Sequence, residues 1–236
     1  MGSTNDPRGE AAFSIANVFH IAENDIVVGA LLRRVFASTY DEFLNVLYDD
    51  LKLVIERMES NPQNYPDESE DATTTRIADM LWGMQYAASH NLQAGGNVDL
   101  TIEMPRRRYK WIAEAKKFDS VAGMREGYLQ LATRYRPGFG ANGMMHGGLI
   151  GYLRRKNAAK LMADWRSEYA SMSVATDATL QECLRRPALG FISQHDHQDF
   201  GLPLRIWHMC VVLTFAPKDK SARTSKRHSS SFDPKH

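Results

Sequence analysis

The stretch "NVDLTIEMPRRRYKWIAEAKKFD", Asn97 to Asp119, decides how this chain is read. Alternation of apolar and polar residues makes it two strands around a charged turn. In the first, Val98, Leu100, Ile102 and Met104 form one row, and Asn97, Asp99, Thr101 and Glu103 the other. In the second, Trp111, Ala113 and Ala115 oppose Lys110, Ile112, Glu114 and Lys116. A turn centred between Arg106 and Arg107 sets Asp99 opposite Glu114 and Asn97 opposite Lys116. That register gathers Leu100, Ile102, Trp111 and Ala113 against a core and sends the acids to the other face. Facing carboxylates about 5 Å apart repel unless a cation lies between them. Mg²⁺, with Mn²⁺ as substitute, answers that need, because it takes one or two carboxylates and fills its octahedron with other oxygens. Asp99 and Glu114 supply the carboxylates, the Ala115 carbonyl a further oxygen, and Lys116 a charge for a transition state or attacking water. The same pattern also describes solvated ion pairs on an exposed ribbon.

Around this stretch, the chain of 236 residues is 43% hydrophobic and 24% charged, enough for one substantial domain or one domain with a helical extension. A formal charge of +1 excludes a globally basic nucleic-acid binder and leaves local patches open. Cys183 and Cys210 lack zinc-motif spacing and read as free thiols of a reducing cytoplasm. No apolar run reaches the ~20 residues that span a bilayer, so a soluble cytoplasmic protein with no membrane partner is expected.

Upstream, Thr39 and Glu42 make a capping box before an amphipathic helix through Phe43, Val46, Leu47, Leu51, Val54 and Met58. "IVVGALLRRVFA" before it is a second helix or a strand. A helix capped at Asp71 to Thr73 carries Ile77, Leu81, Met84 and Ala88 on one side and ends at "HNLQAGGN". Downstream come a helix over 121–135, a strand at "LIGYL", a helix at "NAAKLMADWRSEYA" and a final strand at "WHMCVVLTF". Gly147 and Gly148 read as a tight entry into their strand. The order implies an α/β domain with a mixed sheet. Residues 1–66 form a helical N-terminal extension, 67–216 the main domain, and 217–236 a disordered basic tail with Lys218, Lys220, Arg223, Lys226 and Arg227.

Other features carry weaker chemistry. Arg106, Arg107 and Arg108, with Lys110, Lys116 and Lys117 nearby, make a positive patch suited to phosphates or a solvated turn. "SQHDHQDF" sets His195 and His197 two apart, a zinc pair without a third ligand, and reads rather as a loop beside the active edge that touches substrate. "MMHGGLIGY" lacks the Gly-Lys-Ser/Thr of a phosphate-cradling loop. Ser193 with His195 has no acid partner for a serine hydrolase.

With its surroundings, the set of Asp99 in "GGNVDLTI" and Glu114 and Lys116 in "WIAEAKKF", followed by the helix "GMREGYLQLATRY", resembles the PD-(D/E)XK phosphodiesterase superfamily from about Glu68 to Leu153. Val98 stands where that family has proline before the Asp. The resemblance implies a restriction-endonuclease-like mixed β-sheet flanked by helices and a Mg²⁺-dependent deoxyribonuclease leaving a 5'-phosphate. A role in defence against foreign DNA follows from the family alone. It also implies an acid on the preceding helix, for which Glu70 fits the face of Ile77 and Leu81 better than Glu68 or Asp71, and a glutamine, Gln130, near the metal on the following one. Arg134 and Lys117 become phosphate contacts, and a homodimer or a regulatory protein becomes a possible partner. A catalytically silent module of the same fold, binding nucleic acid or a protein, is the alternative.

Overall fold

In the computed structural model, residues 20, 25–65, 68–93, 97–104, 108–135, 137–139, 143–172 and 178–216 are described. Arg106, Arg107 and the basic tail lie outside them. The chain forms an α/β body with a mixed sheet flanked by helices.

Two helices come first, α1 (Ile26–Phe36) and α2 (Tyr40–Glu59). The capping box is present: Thr39 accepts from the Glu42 amide, and Glu42 reaches back to the Thr39 amide at 3.2 Å. The segment left open between helix and strand is therefore α1, capped by Asp25, which accepts from the amides of Val27 and Val28. Helix α3 (Glu70–Gly83) is capped by Ser69 rather than by Asp71 to Thr73. It stops before Ala88, because Gln85 adopts φ 74° and the chain enters an additional strand, β1 (Ala87–Gln93).

β2 (Asn97–Met104) and β3 (Tyr109–Lys117) follow, then α4 (Val121–Thr133), the two-residue β4 (Gly138–Phe139), β5 (Met145–Leu153) and α5 (Ala158–Ser171). β6 (Thr179–Glu182), β7 (Gly190–Asp196) and β8 (Pro203–Val212) complete the sheet, with "SQHD" in β7 instead of a loop. The strand order is β1-β2-β3-β5-β8-β7-β6, with β4 attached to β5. β1, β2 and β3 run antiparallel; β3, β5 and β8 are mutually parallel; β8, β7 and β6 return antiparallel.

The expected β2–β3 register holds from Met104↔Tyr109 to Leu100↔Ala113. Both faces of the sheet are covered by helices. On one side, Phe43, Leu47, Leu51 and Ile55 of α2 and Ile77 and Leu81 of α3 bury Leu100, Ile102, Trp111 and Ala113. The N-terminal helical segment enters the fold as this layer. On the other, Met124 and Tyr128 of α4 and Trp165 and Tyr169 of α5 bury Ile112, Leu149, Ile206 and Cys210.

Strict alternation fails at one point. Val98 packs with Ile112 on the α4 side, while Leu100, two residues on, faces α2 and α3. The β2–β3 pairs stop at Leu100, and Asp99 leaves the ladder. The two strands part at the end where the acids lie.

β5 is buried along its whole length, and its glycines are interior to the strand rather than an entry turn. A Cβ on Gly148 would stand 2.3 Å from Cζ2 of Trp111, so the bare backbone is what admits the indole. Among the described residues, no helix is long and apolar enough to cross a membrane.

Candidate functional site

Three elements deliver acids to one ammonium. Glu114 and Lys116 are two apart on β3 and share a face; Lys116 Nζ lies 2.5 Å from Glu114 Oε1. Asp99, at the parting of the strands, turns its carboxylate to β3, where Oδ2 accepts the Ala115 amide at 2.9 Å and stands 3.9 Å from Lys116 Nζ. Glu70, in the first turn of α3, reaches across with Oε2 on the Lys117 amide at 2.6 Å and Oε1 3.9 Å from the same Nζ. Ala115 joins the site through that amide. The sequence therefore places Asp99, Glu114, Lys116 and Glu70 where they meet.

The other two helical acids do not join them. Glu68 pairs with Arg76 at 3.2 Å, and Asp71 lies largely in solvent, 3.6 Å from His90.

Burial sets the electrostatics. Glu114 is 1% exposed, which pushes its pKa up to about 7 against the favourable bond from Lys116, and the charge of Asp99 adds to the rise. Glu70 is also raised by burial, opposed by the Lys117 amide. Burial works against the Lys116 ammonium, but the Glu114 bond and the three surrounding carboxylates outweigh it and raise its pKa. Three carboxylates around one ammonium leave an excess of negative charge. Glu114 Oε2 is buried and has no hydrogen-bond partner.

Helix α4 sets the width of the site. A Cβ on Gly127 would come within 2.9 Å of Lys116 Cγ and 3.2 Å of Glu114 Cγ, so glycine lets the helix lie directly on both stems. Gln130, one turn later on α4, holds a buried Oε1 without a partner. Tyr135, just past this helix, interacts with Glu114; burial and that carboxylate raise its phenol pKa. On the opposite side, Tyr152 of β5 bonds Thr74 of α3 at 2.9 Å. Tyr135 and Tyr152 were not foreseen as neighbours of the site, and the one available signal was a glycine inside the helical pattern "REGYLQ".

The remaining candidates lie elsewhere. Arg108 is exposed at the start of β3, eight residues from Lys116, which at ~3.3 Å per residue is about 26 Å away. Arg108 is thus at the far end of the strand from Lys116 and Lys117. Lys117 is exposed beside the site, and Arg134 is exposed at the end of α4.

His195 is not in a substrate-facing loop. It is buried on β7 between the hydroxyls of Tyr128 and Tyr169, each 3.2 Å away, and burial lowers its pKa to about 4. His208 accepts from Trp165 Nε1 at 3.1 Å through Nδ1, which leaves its Nε2–H for Ser193 at 2.8 Å. His197 is also buried, its Nδ1 accepting the Asp199 amide. These rings are core groups with polar partners. Among the described residues, no three His, Cys, Asp or Glu side chains are grouped as they stand to hold a metal ion.

Compared with known proteins, the chain matches no family model, no curated protein and no solved structure.

Proposed function

We propose that the chain is a metal-dependent deoxyribonuclease of the restriction-endonuclease-like fold, hydrolysing phosphodiester bonds with Mg²⁺ or Mn²⁺. One observation carries the reading: Lys116 Nζ lies within 3.9 Å of carboxylates from three separate elements, Glu70, Asp99 and Glu114. A solvated ribbon pair would be exposed and self-contained, whereas Glu114 is almost wholly buried with an unpartnered oxygen. The order of a helix, an antiparallel meander with Asp99 on its second strand and Glu114 and Lys116 on its third, a helix and further strands supports the reading.

The donor set fits a hard divalent cation: all its donors are oxygens, and its excess of negative charge disfavours the ion-free site. Asp99 and Glu114 would hold the ion, which supplies Lewis-acid activation of water and phosphate when bound. Lys116 contributes a fixed positive charge for the phosphorane-like transition state. Glu70 tethers the Lys117 amide and so fixes the end of β3 that carries Lys116. Gln130, whose buried Oε1 has no partner, would offer it from α4 to a water or to the ion.

The test is plasmid cleavage with Mg²⁺ or Mn²⁺, with EDTA, Glu114→Gln and Lys116→Ala as controls. Cleavage that all three controls abolish is the expected result. DNA binding without cleavage under any divalent ion would refute catalysis and leave a silent binding module.

A further inference from the structure

Next to the carboxylate cluster is a pocket of about 210 Å³ lined by Glu68, Lys117, Asp119, Tyr152 and Arg154. It adjoins the site through β3: Lys117 follows Lys116 directly, its amide is held by Glu70, and Tyr152 is its register partner on β5.

The pocket is unusual in how its cations are held. Arg154 donates from Nε to the Tyr65 carbonyl at 3.2 Å and from Nη2 to Thr73 Oγ1 at 2.9 Å. Both acceptors are neutral, so they orient the guanidinium without cancelling its charge. Among the described residues, neither Arg154 nor Lys117 forms an ion pair with a carboxylate, in contrast to Arg34, Arg76, Arg185 and Arg186. Of the two acids in the lining, Glu68 is engaged by Arg76 through Oε1 while its Oε2 is buried without a hydrogen-bond partner, and Asp119 is exposed. A half-buried guanidinium fixed by neutral groups and in no ion pair is suited to bind an anion, and its planar fork matches phosphate oxygens.

We infer that this pocket is a subsite for a backbone phosphate of DNA, adjacent to the scissile phosphate, with Arg154 as its oriented ligand and Lys117 as its second cation. The inference rests on the nuclease reading for its ligand.

The test measures binding separately from cleavage. A fluorescein-labelled DNA duplex is titrated in EDTA at several salt concentrations with wild type, Lys117→Ala, Arg154→Met and Arg154→Lys, each checked for folding by thermal melting. Loss of one phosphate contact predicts a Kd raised by about 10-fold and a log–log salt slope shallower by about one for Lys117→Ala and for Arg154→Met, with Arg154→Lys recovering part of the loss. An unchanged Kd and slope in the folded Lys117→Ala variant overturns the subsite, and that variant, exposed in the native protein, decides the matter if Arg154→Met does not fold. Wild type that binds no DNA overturns it as well. Wild type that binds through these residues but never cleaves keeps the subsite and refutes the nuclease.

Discussion

Replacing Gly127 by alanine sets two opposed effects against each other at one atom. Alanine inside α4 gains about 1 kcal/mol of helix propensity over glycine. Its methyl, however, would stand 2.9 Å from Lys116 Cγ, 2.9 Å from Leu149 Cδ1 and 3.2 Å from Glu114 Cγ. Carbon atoms rest at about 3.5 to 4.0 Å, so three neighbours must yield. Leu149 is fully buried, and the other two contacts are on the stems of side chains tied to each other, so none can swing away freely. Overpacking of this kind costs about 1 to 3 kcal/mol, and forcing two side chains off their rotamers adds about 0.5 to 1.5 kcal/mol each. The balance is a loss of about 1 to 5 kcal/mol, which for a domain of this size lowers Tm by roughly 2 to 20 °C. Because the displaced stems carry Glu114 and Lys116, the proposed cleavage falls further than stability does, by about 100-fold for a shift approaching 1 Å. Urea denaturation of Gly127→Ala and Gly83→Ala, the latter with nothing within 4 Å of its new methyl, supplies the comparison. A Gly127→Ala protein as stable as wild type, or more stable, would show that α4 does not press on the site and would refute the reasoning.

Further expectations concern charge and packing. Since Glu114 has its folded pKa raised to about 7, above its unfolded value, its neutral form contributes stability that is complete below about pH 4.5 and is lost as pH rises through about 7. Glu114→Gln should therefore gain stability over wild type at pH 8 and little at pH 4.5; equal pH profiles would contradict the burial argument. Mg²⁺ needs the ionised form, so the rise in Tm on adding it should be larger at pH 8 than at pH 6 and absent in Glu114→Gln. Asp50 is 3% exposed and accepts from Arg34 Nε at 2.7 Å, Arg34 Nη2 at 2.8 Å and the Tyr86 hydroxyl at 2.7 Å. Asp50→Ala strands that guanidinium and should cost about 3 to 5 kcal/mol in urea denaturation, with a loss under 1 kcal/mol counting against the network. Gly148→Ala drives a methyl into Trp111 and should cost about 3 kcal/mol with a change in tryptophan fluorescence; an unaltered spectrum and stability would contradict the packing.

The β2–β3 pairing was legible because one constraint governed it: five successive pairs obey the register that hydrophobic alternation requires. The capping box of α2 was legible because it is local. β1 was not, because its "AASHNLQ" has little β propensity and Ala88 continues the helical spacing of Ile77, Leu81 and Met84. The helix ends at Gly83, but the positive φ that turns the chain falls two residues later, on Gln85, where no glycine announces it. β7 was obscured because its "SQHD" is polar, and only Tyr128 and Tyr169, more than twenty residues away in sequence, make His195 a core residue. At the site, residue identities were readable from spacing, but the parting of β2 from β3 beyond Leu100, where Asp99 accepts the Ala115 amide and Val98 joins the opposite core, is a tertiary effect. The pocket at Arg154 combines residues from Glu68 to Arg154 and has no local pattern at all.

The last strand of the described chain, β8, is not at a margin of the sheet but between β5 and β7, and its continuation at Leu213 donates to the Leu153 carbonyl. Until residues 203–212 leave the ribosome, the middle of the sheet is open along β5, a strand buried on all sides in the finished protein. Synthesis therefore exposes a sticky apolar edge from the completion of β5 until β8 emerges, and a stop codon between Leu153 and Pro203 releases a chain with no way to close it.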